Sequence, residues 1–146
     1  MNPRYGKYRA IVTDVADPQE RGRIRVSCPK VMGRGQSKWC EICSPVAYEG
    51  GGDFCLPKVG DTVWIEFEEG DPSRPIWVGG WWSISNSPNK NYANADKLRI
   101  IEFDGCRVEM QKGQIKMTIE DSDNCIILNK QGIQLAVSPD CTIQIG

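Results

Sequence analysis

Three segments in the last third of the chain repeat one another: Asp104-Gly105-Cys106-Arg107-Val108-Glu109-Met110, Asp123-Asn124-Cys125-Ile126-Ile127-Leu128 and Pro139-Asp140-Cys141-Thr142-Ile143-Gln144-Ile145. Their cysteines lie 19 and then 16 residues apart. The first two segments are each followed by a Lys/Gln/Gly turn and a second alternating run, Ile115-Met117-Ile119 and Ile133-Leu135-Val137. A unit of turn and strand that recurs at this spacing predicts a stacked β architecture. Strict alternation gives each strand one apolar and one polar face.

A thin ribbon of this kind cannot bury its apolar face by itself. Each Ile or Val left in water forgoes roughly 1.5–3 kcal/mol, and isolated strand pairs are marginal. The face must meet either the N-terminal region or the same face of other copies. The repeats carry few large aromatics and no long loop that would return the ribbon to a body, which favours other copies. Three-fold wrapping would give a short intertwined trimeric β-helix or β-prism over residues 98–146. Its axis would carry Val108, Met110, Ile115, Met117, Ile119, Ile127, Ile133, Leu135, Val137, Ile143 and Ile145. The alternative is an ordinary β-meander in a monomer.

At 146 residues the chain has room for one domain and an appendage. Its net charge of −1 supplies no basic field to hold nucleic acid. No run approaches the roughly 20 apolar residues of a membrane span. The N-terminal Met1-Asn2-Pro3-Arg4-Tyr5-Gly6 has no apolar core of a secretory signal, so folding in a reducing cytoplasm is expected. Seven cysteines leave at least one thiol unpaired within a chain, or paired between chains. The absence of histidine removes the commonest metal ligand and general base.

Upstream of the repeats, five short strands are predicted: Lys7–Val15, Arg23–Cys28, Trp39–Ser44, Asp61–Glu68 and Ile76–Trp81. Ile24, Val26 and Cys28 face inward in the second, as do Val63, Ile65 and Phe67 in the fourth. Asp17-Pro18 to Gly22 reads as a turn, Lys30–Ser37 as a Gly-rich loop, and Gly50-Gly51-Gly52 as a loop tip. Five antiparallel strands without helical periodicity suggest a small closed barrel such as an OB-fold over residues 1–82. Residues 83–97 are Asn/Ser/Pro-rich and read as a linker. The expected class is therefore all-β: an N-terminal OB-fold barrel, a linker, and the repetitive region 98–146.

Two segments resemble the phage baseplate assembly protein V family. Asp17-Pro18 … Gly22-Arg23-Ile24-Arg25-Val26 … Pro29 is similar to its first hairpin. Leu56-Pro57-Lys58-Val59-Gly60-Asp61-Thr62-Val63 … Phe67-Glu68-Glu69-Gly70-Asp71-Pro72-Ser73-Arg74-Pro75 … Gly79 resembles its longest motif almost position by position. The family includes the central spikes of contractile-tail phages and the valine-glycine-repeat spikes of type VI secretion. The resemblance implies an OB-fold followed by a trimeric needle, in the tail baseplate of a phage or phage-like particle assembled in the host cytoplasm. It implies a homotrimer docked on a hub protein above, extended by a separate tip protein below, and in transient contact with the target cell envelope. Some members insert a lysozyme domain between barrel and needle, for which this chain has no room. Many spike tips bind iron through His-x-His, which a chain without histidine lacks.

Other constellations admit blander readings. Cys40-x-x-Cys43 on a strand would place its thiols on opposite faces, about 10 Å apart, so buried or disulfide-bonded cysteine is expected rather than a metal knuckle. Cys28, Cys40, Cys43 and Cys55 leave room for one or two disulfides in the barrel. Cys106, Cys125 and Cys141 would form rings of three sulfurs if they faced a three-fold axis. They act there as small hydrophobes, or, at one ring, as thiolate ligands of a metal or iron–sulfur cluster. No resident cofactor is otherwise expected. Trp39, Trp64, Trp77, Trp81 and Trp82 suggest a base-stacking platform, but core or protein interface fits the low charge better. Glu66, Glu68 and Glu69 read as solvated charge rather than glycosidase carboxylates, and Arg74 as surface or as a partner of Asp71. The expected function is a mechanical spike, not an enzyme. The rival is a single-stranded nucleic-acid-binding OB-fold protein.

Overall fold

The computed structural model describes residues 2–84, 86–89 and 92–139. The chain divides into two compact units, Met1–Ser85 and Asn86–Gly146. The architecture is all-β, with one four-residue α-helix and two short 3-10 turns among the described residues.

In the first unit the strands are β1 (Tyr8–Asp14), β2 (Arg25–Ser27), β3 (Glu41–Ile42), β4 (Ala47–Tyr48), β5 (Gly51–Gly52), β6 (Thr62–Phe67) and β7 (Pro75–Gly80). β1 pairs antiparallel with β2 on one side and β6 on the other. β6 continues into β7, and β7 takes β3 as a parallel neighbour. The sheet order β2-β1-β6-β7-β3 would leave two edges. An antiparallel bridge between Ile24 and Cys40 joins them, with Cys40 N–H donating to the Ile24 carbonyl at 2.7 Å. Five strands closed in this order form an OB-type barrel.

Alternation decides what fills it. Ala10 and Val12 from β1, Ile24, Val26 and Cys28 around β2, Cys40, and Val63, Ile65 and Phe67 from β6 make one buried cluster. Closure demands bending. Register shifts fall between Val12 and Asp14 in β1 and between Trp64 and Ile65 in β6, where its pairing to β7 skips a residue. An extra residue at such a point bends a strand and sharpens its twist. The segment expected as a Gly-rich loop after Cys28 contains a helical turn, α1 (Pro29–Met32). Pro29 opens it, since proline's fixed φ and missing N–H suit a first helical turn, and Val31 and Met32 pack against the core. The Gly-rich loop tip folds as the two-stranded β4–β5 ribbon.

The second unit contains a 3-10 turn (Tyr92–Lys97), placing structure where only linker was expected, then β8 (Leu98–Phe103), β9 (Cys106–Gln111), β10 (Gln114–Ile119), β11 (Cys125–Asn129) and β12 (Gly132–Ala136). Each strand pairs antiparallel with the next, giving a five-stranded meander. Two-residue connections make three of its four turns. In the first, Asp104 and Gly105 both sit at positive φ, as a primed hairpin turn requires. Within one chain the described repeats thus make a meander.

Ile65 is fully buried at the centre of the barrel. Its replacement by alanine should lower stability by about 2–5 kcal/mol. Chemical denaturation followed by tryptophan fluorescence measures this, because the tryptophans belong to the barrel unit.

Candidate functional site

The sheet register sorts the second unit into two faces. Residues directly opposite one another across a ladder share a face. One face carries the rows Met110–Ile115–Leu128–Ile133 and Val108–Met117–Ile126–Leu135, with Cys106 opposite Ile119 and Ile101 opposite Val108. Val137 lines the same trough. The other carries Ile100–Glu109–Lys116–Ile127–Gln134 and Glu102–Arg107–Thr118–Cys125–Ala136. Arg107 binds the carboxylates of Glu102 and Glu109 and the Pro88 carbonyl there.

Of the residues expected on one face, Val108, Met110, Ile115, Met117, Ile119, Ile133 and Leu135 do share it. Ile127 does not: it lies opposite Lys116 and Gln134 on the polar face, and Ile126 and Leu128 take the apolar positions. The run Cys125-Ile126-Ile127-Leu128 is apolar at every position, so alternation alone cannot phase it. The two-residue turn Lys130-Gln131 sets the phase by placing Leu128 opposite Ile133. For the same reason the recurring cysteines separate. Cys106 faces with the apolar rows, whereas Cys125, opposite Thr118 and Ala136, faces with the polar ones. They cannot stack along one axis. Cys141, Ile143 and Ile145 lie outside the described residues.

Exposure runs opposite to what water prefers. On the apolar face Ile119 is 52 %, Ile126 45 % and Ile133 71 % exposed. On the other, Arg107, Glu109, Lys116 and Thr118 are half-buried. The apolar side hollows into a trough of about 490 Å³ lined by Cys106, Met117, Ile119, Ile126, Leu135 and neighbours.

In the barrel the motif residues explain themselves as turn chemistry. One carboxylate organises the first hairpin. Asp17 Oδ1 accepts from the Gln19 N–H (3.0 Å) and from Arg23 Nη2 (2.6 Å). Its Oδ2 accepts from the N–H groups of Arg21 (2.9 Å) and Arg23 (3.2 Å) and from Arg23 Nε (3.1 Å). Both side chains are largely withdrawn from solvent. The Arg23 guanidinium, followed by the backbone donors, holds the Asp17 carboxyl well below the usual carboxylate range. Gly22 stands at φ +76°, and a Cβ there would sit 2.8 Å from the Phe54 ring, so glycine is required twice over. In the longer motif Asp61 accepts from the Lys58 N–H (2.8 Å) and Asp71 from the Ser73 N–H (2.8 Å). Arg74 pairs with Glu68 at 2.6 Å rather than with Asp71.

The tryptophans are largely engaged. The Arg9 guanidinium lies 5.3 Å from the Trp64 ring and 4.5 Å from Trp81, and Arg25 lies 4.6 Å from Trp39. Trp77 packs on the core, while Trp82 stays exposed. Among the described residues all six cysteines are free thiols, so the barrel holds no disulfide. Cys28 and Cys40 are buried in the core and Cys43 is exposed. Burial pushes the Cys40 thiol up to about 11, which keeps it protonated. Among the described residues no group of three or more His, Cys, Asp or Glu side chains could hold a metal.

Because its folded pKa is depressed, Asp17 contributes stability above its unfolded value of about 3.9. That contribution is lost as pH falls from there through the folded value. Asp17→Asn should therefore lower the melting temperature at neutral pH. It should also flatten the acid limb of the stability–pH curve, as read by thermal melts between pH 2 and pH 7.

No curated protein matches the chain. The model of the Type VI secretion system/phage-baseplate injector OB domain matches residues 8–82, which are the closed barrel and both motif turns. Among the described residues no helix is long and apolar enough to cross a membrane. The chain belongs to the phage-baseplate and type VI secretion injector family, and its role is that of a baseplate component.

Proposed function

We propose that the chain is the central spike of a contractile injection machine, a homotrimer of a phage tail or phage-like particle. Three barrels form a collar that docks on a hub protein. Three C-terminal sheets meet apolar face to apolar face and form the needle, extended at its distal end by a separate tip protein. Sheath contraction drives the needle into the target cell envelope. The part is mechanical: it holds no catalytic group and needs no cofactor.

The observation that carries this reading is the reversed exposure of the C-terminal sheet. Ile115, Met117, Ile119, Ile126, Leu128, Ile133 and Leu135 stand in water in a lone chain. Burying each side chain is worth roughly 1.5–3 kcal/mol. Three copies of one face, related by a three-fold axis, supply one another's partners and close without leaving a copy over. The half-buried charges of the other face then point outward, which suits a needle surrounded by water. A dry axis and continuous ladders would make it stiff.

The mass in solution by light scattering should be three times 16.3 kDa. Ile126→Lys, on the apolar face, should reduce it to one chain, whereas Gln134→Lys, on the polar face, should leave the trimer intact. A wild-type monomer, or equal tolerance of both changes, overturns the assembly. Elemental analysis of the purified trimer should find no stoichiometric metal.

A further inference from the structure

The charges of the barrel are segregated along the chain. Residues 21–40 contain Arg21, Arg23, Arg25, Lys30, Arg34 and Lys38 and no carboxylate. Residues 66–74 contain Glu66, Glu68, Glu69 and Asp71 against the single cation Arg74. Internal pairing cancels part of this and leaves the rest. Arg21 is bound by Glu41 and Arg23 by Asp17, and Arg25 stacks on Trp39. Lys30, Arg34 and Lys38 are exposed and have no ion pair among the described residues. On the other side Glu66 pairs with Lys7 and Glu68 with Arg74, and Glu69 is exposed beside Asp71.

Topology brings both groups to one end of the barrel. β2 and β6 both run antiparallel to β1 and flank it on opposite sides. The connection after β2, carrying Lys30 and Arg34 before residues 36–40 turn back beside β2, and the connection after β6, carrying Glu68, Glu69 and Asp71, therefore leave at the end where β1 begins. The segment before β1 lies with the second of them, its Arg4 N–H donating to the Gly70 carbonyl at 2.7 Å. One rim of the barrel thus bears Lys30 and Arg34 on one flank and, with Glu68 paired to Arg74, Glu69 and Asp71 on the other.

We propose that this rim is a self-complementary interface: the 28–38 connection of one copy docks on the 68–74 connection of the next. The inference rests on the trimer proposed above and adds the collar's own contact. Unlike flanks meeting head to tail close a ring, and like flanks would repel. A second copy fits better than any anionic partner, because the chain carries the matching charge on the same rim. Complementary rims of this kind set register and speed of encounter more than affinity.

The test is carbodiimide cross-linking of the full-length protein assembled from mixed unlabelled and ¹⁵N-labelled chains. Mass spectrometry should find Lys30 joined to Glu68 or Glu69 in peptides of mixed isotope. Arg34→Glu should lower the yield of that product several-fold, and adding Glu69→Lys should restore a mixed-isotope link, now between positions 34 and 69. A trimer by light scattering without mixed-isotope products overturns this interface and leaves the needle standing, whereas a monomer overturns both. If Arg34→Glu leaves the product unchanged and instead abolishes salt-sensitive binding of a single-stranded oligonucleotide, the cations serve nucleic acid and the rim interface is wrong.

Discussion

An apolar sheet face cannot remain in water, and in the C-terminal unit it finds nothing within its own sheet to cover it. That constraint governs the rest. Most of the Ile, Val, Met and Leu of β9 to β12 fall on one side, Ile127 excepted, because the pairings Met110–Ile115, Leu128–Ile133 and Ile126–Leu135 keep the rows in phase. A slip of one residue in any turn would scatter the rows over both faces. The short connections therefore decide which residues share the apolar face, although none of them lies on it.

The barrel solves the opposite problem. It encloses its apolar residues and closes its sheet through the Ile24–Cys40 bridge, so that no long edge stays open. Asp17 gathers five donors around one turn, and Asp61 and Asp71 each cap a shorter one. These carboxylates hold loops in fixed shapes. The family's sequence signature is thus largely a record of turn geometry.

Much of this fold was legible from residues. The alternation of Val63, Ile65 and Phe67 and of Ile24, Val26 and Cys28 located the core, because half-buried strands leave a period of two. Where both faces of a strand are apolar the period vanishes, and Ile127 was accordingly placed on the wrong face. The cysteine spacing misled for a related reason: 106 and 125 look equivalent along the chain but fall on opposite sides of the sheet. The short helix Pro29–Met32 left too little sequence for periodicity to detect, although Pro29 marks its start. The many-donor role of Asp17 was hidden as well. Its partners at 19, 21 and 23 are visible as neighbours, but only the folded turn points their N–H groups at one carboxylate.

The meander ends in two strands, β8 and β12, each paired on one side alone. Between synthesis and assembly such a chain offers both a greasy surface and unpaired backbone donors and acceptors, the combination that seeds disordered association. Under the proposed trimer, survival becomes a race between meeting two sisters and meeting anything else. Dilution would then be no refuge, since it would slow the encounter with sisters while other surfaces in the cell stay as crowded as before.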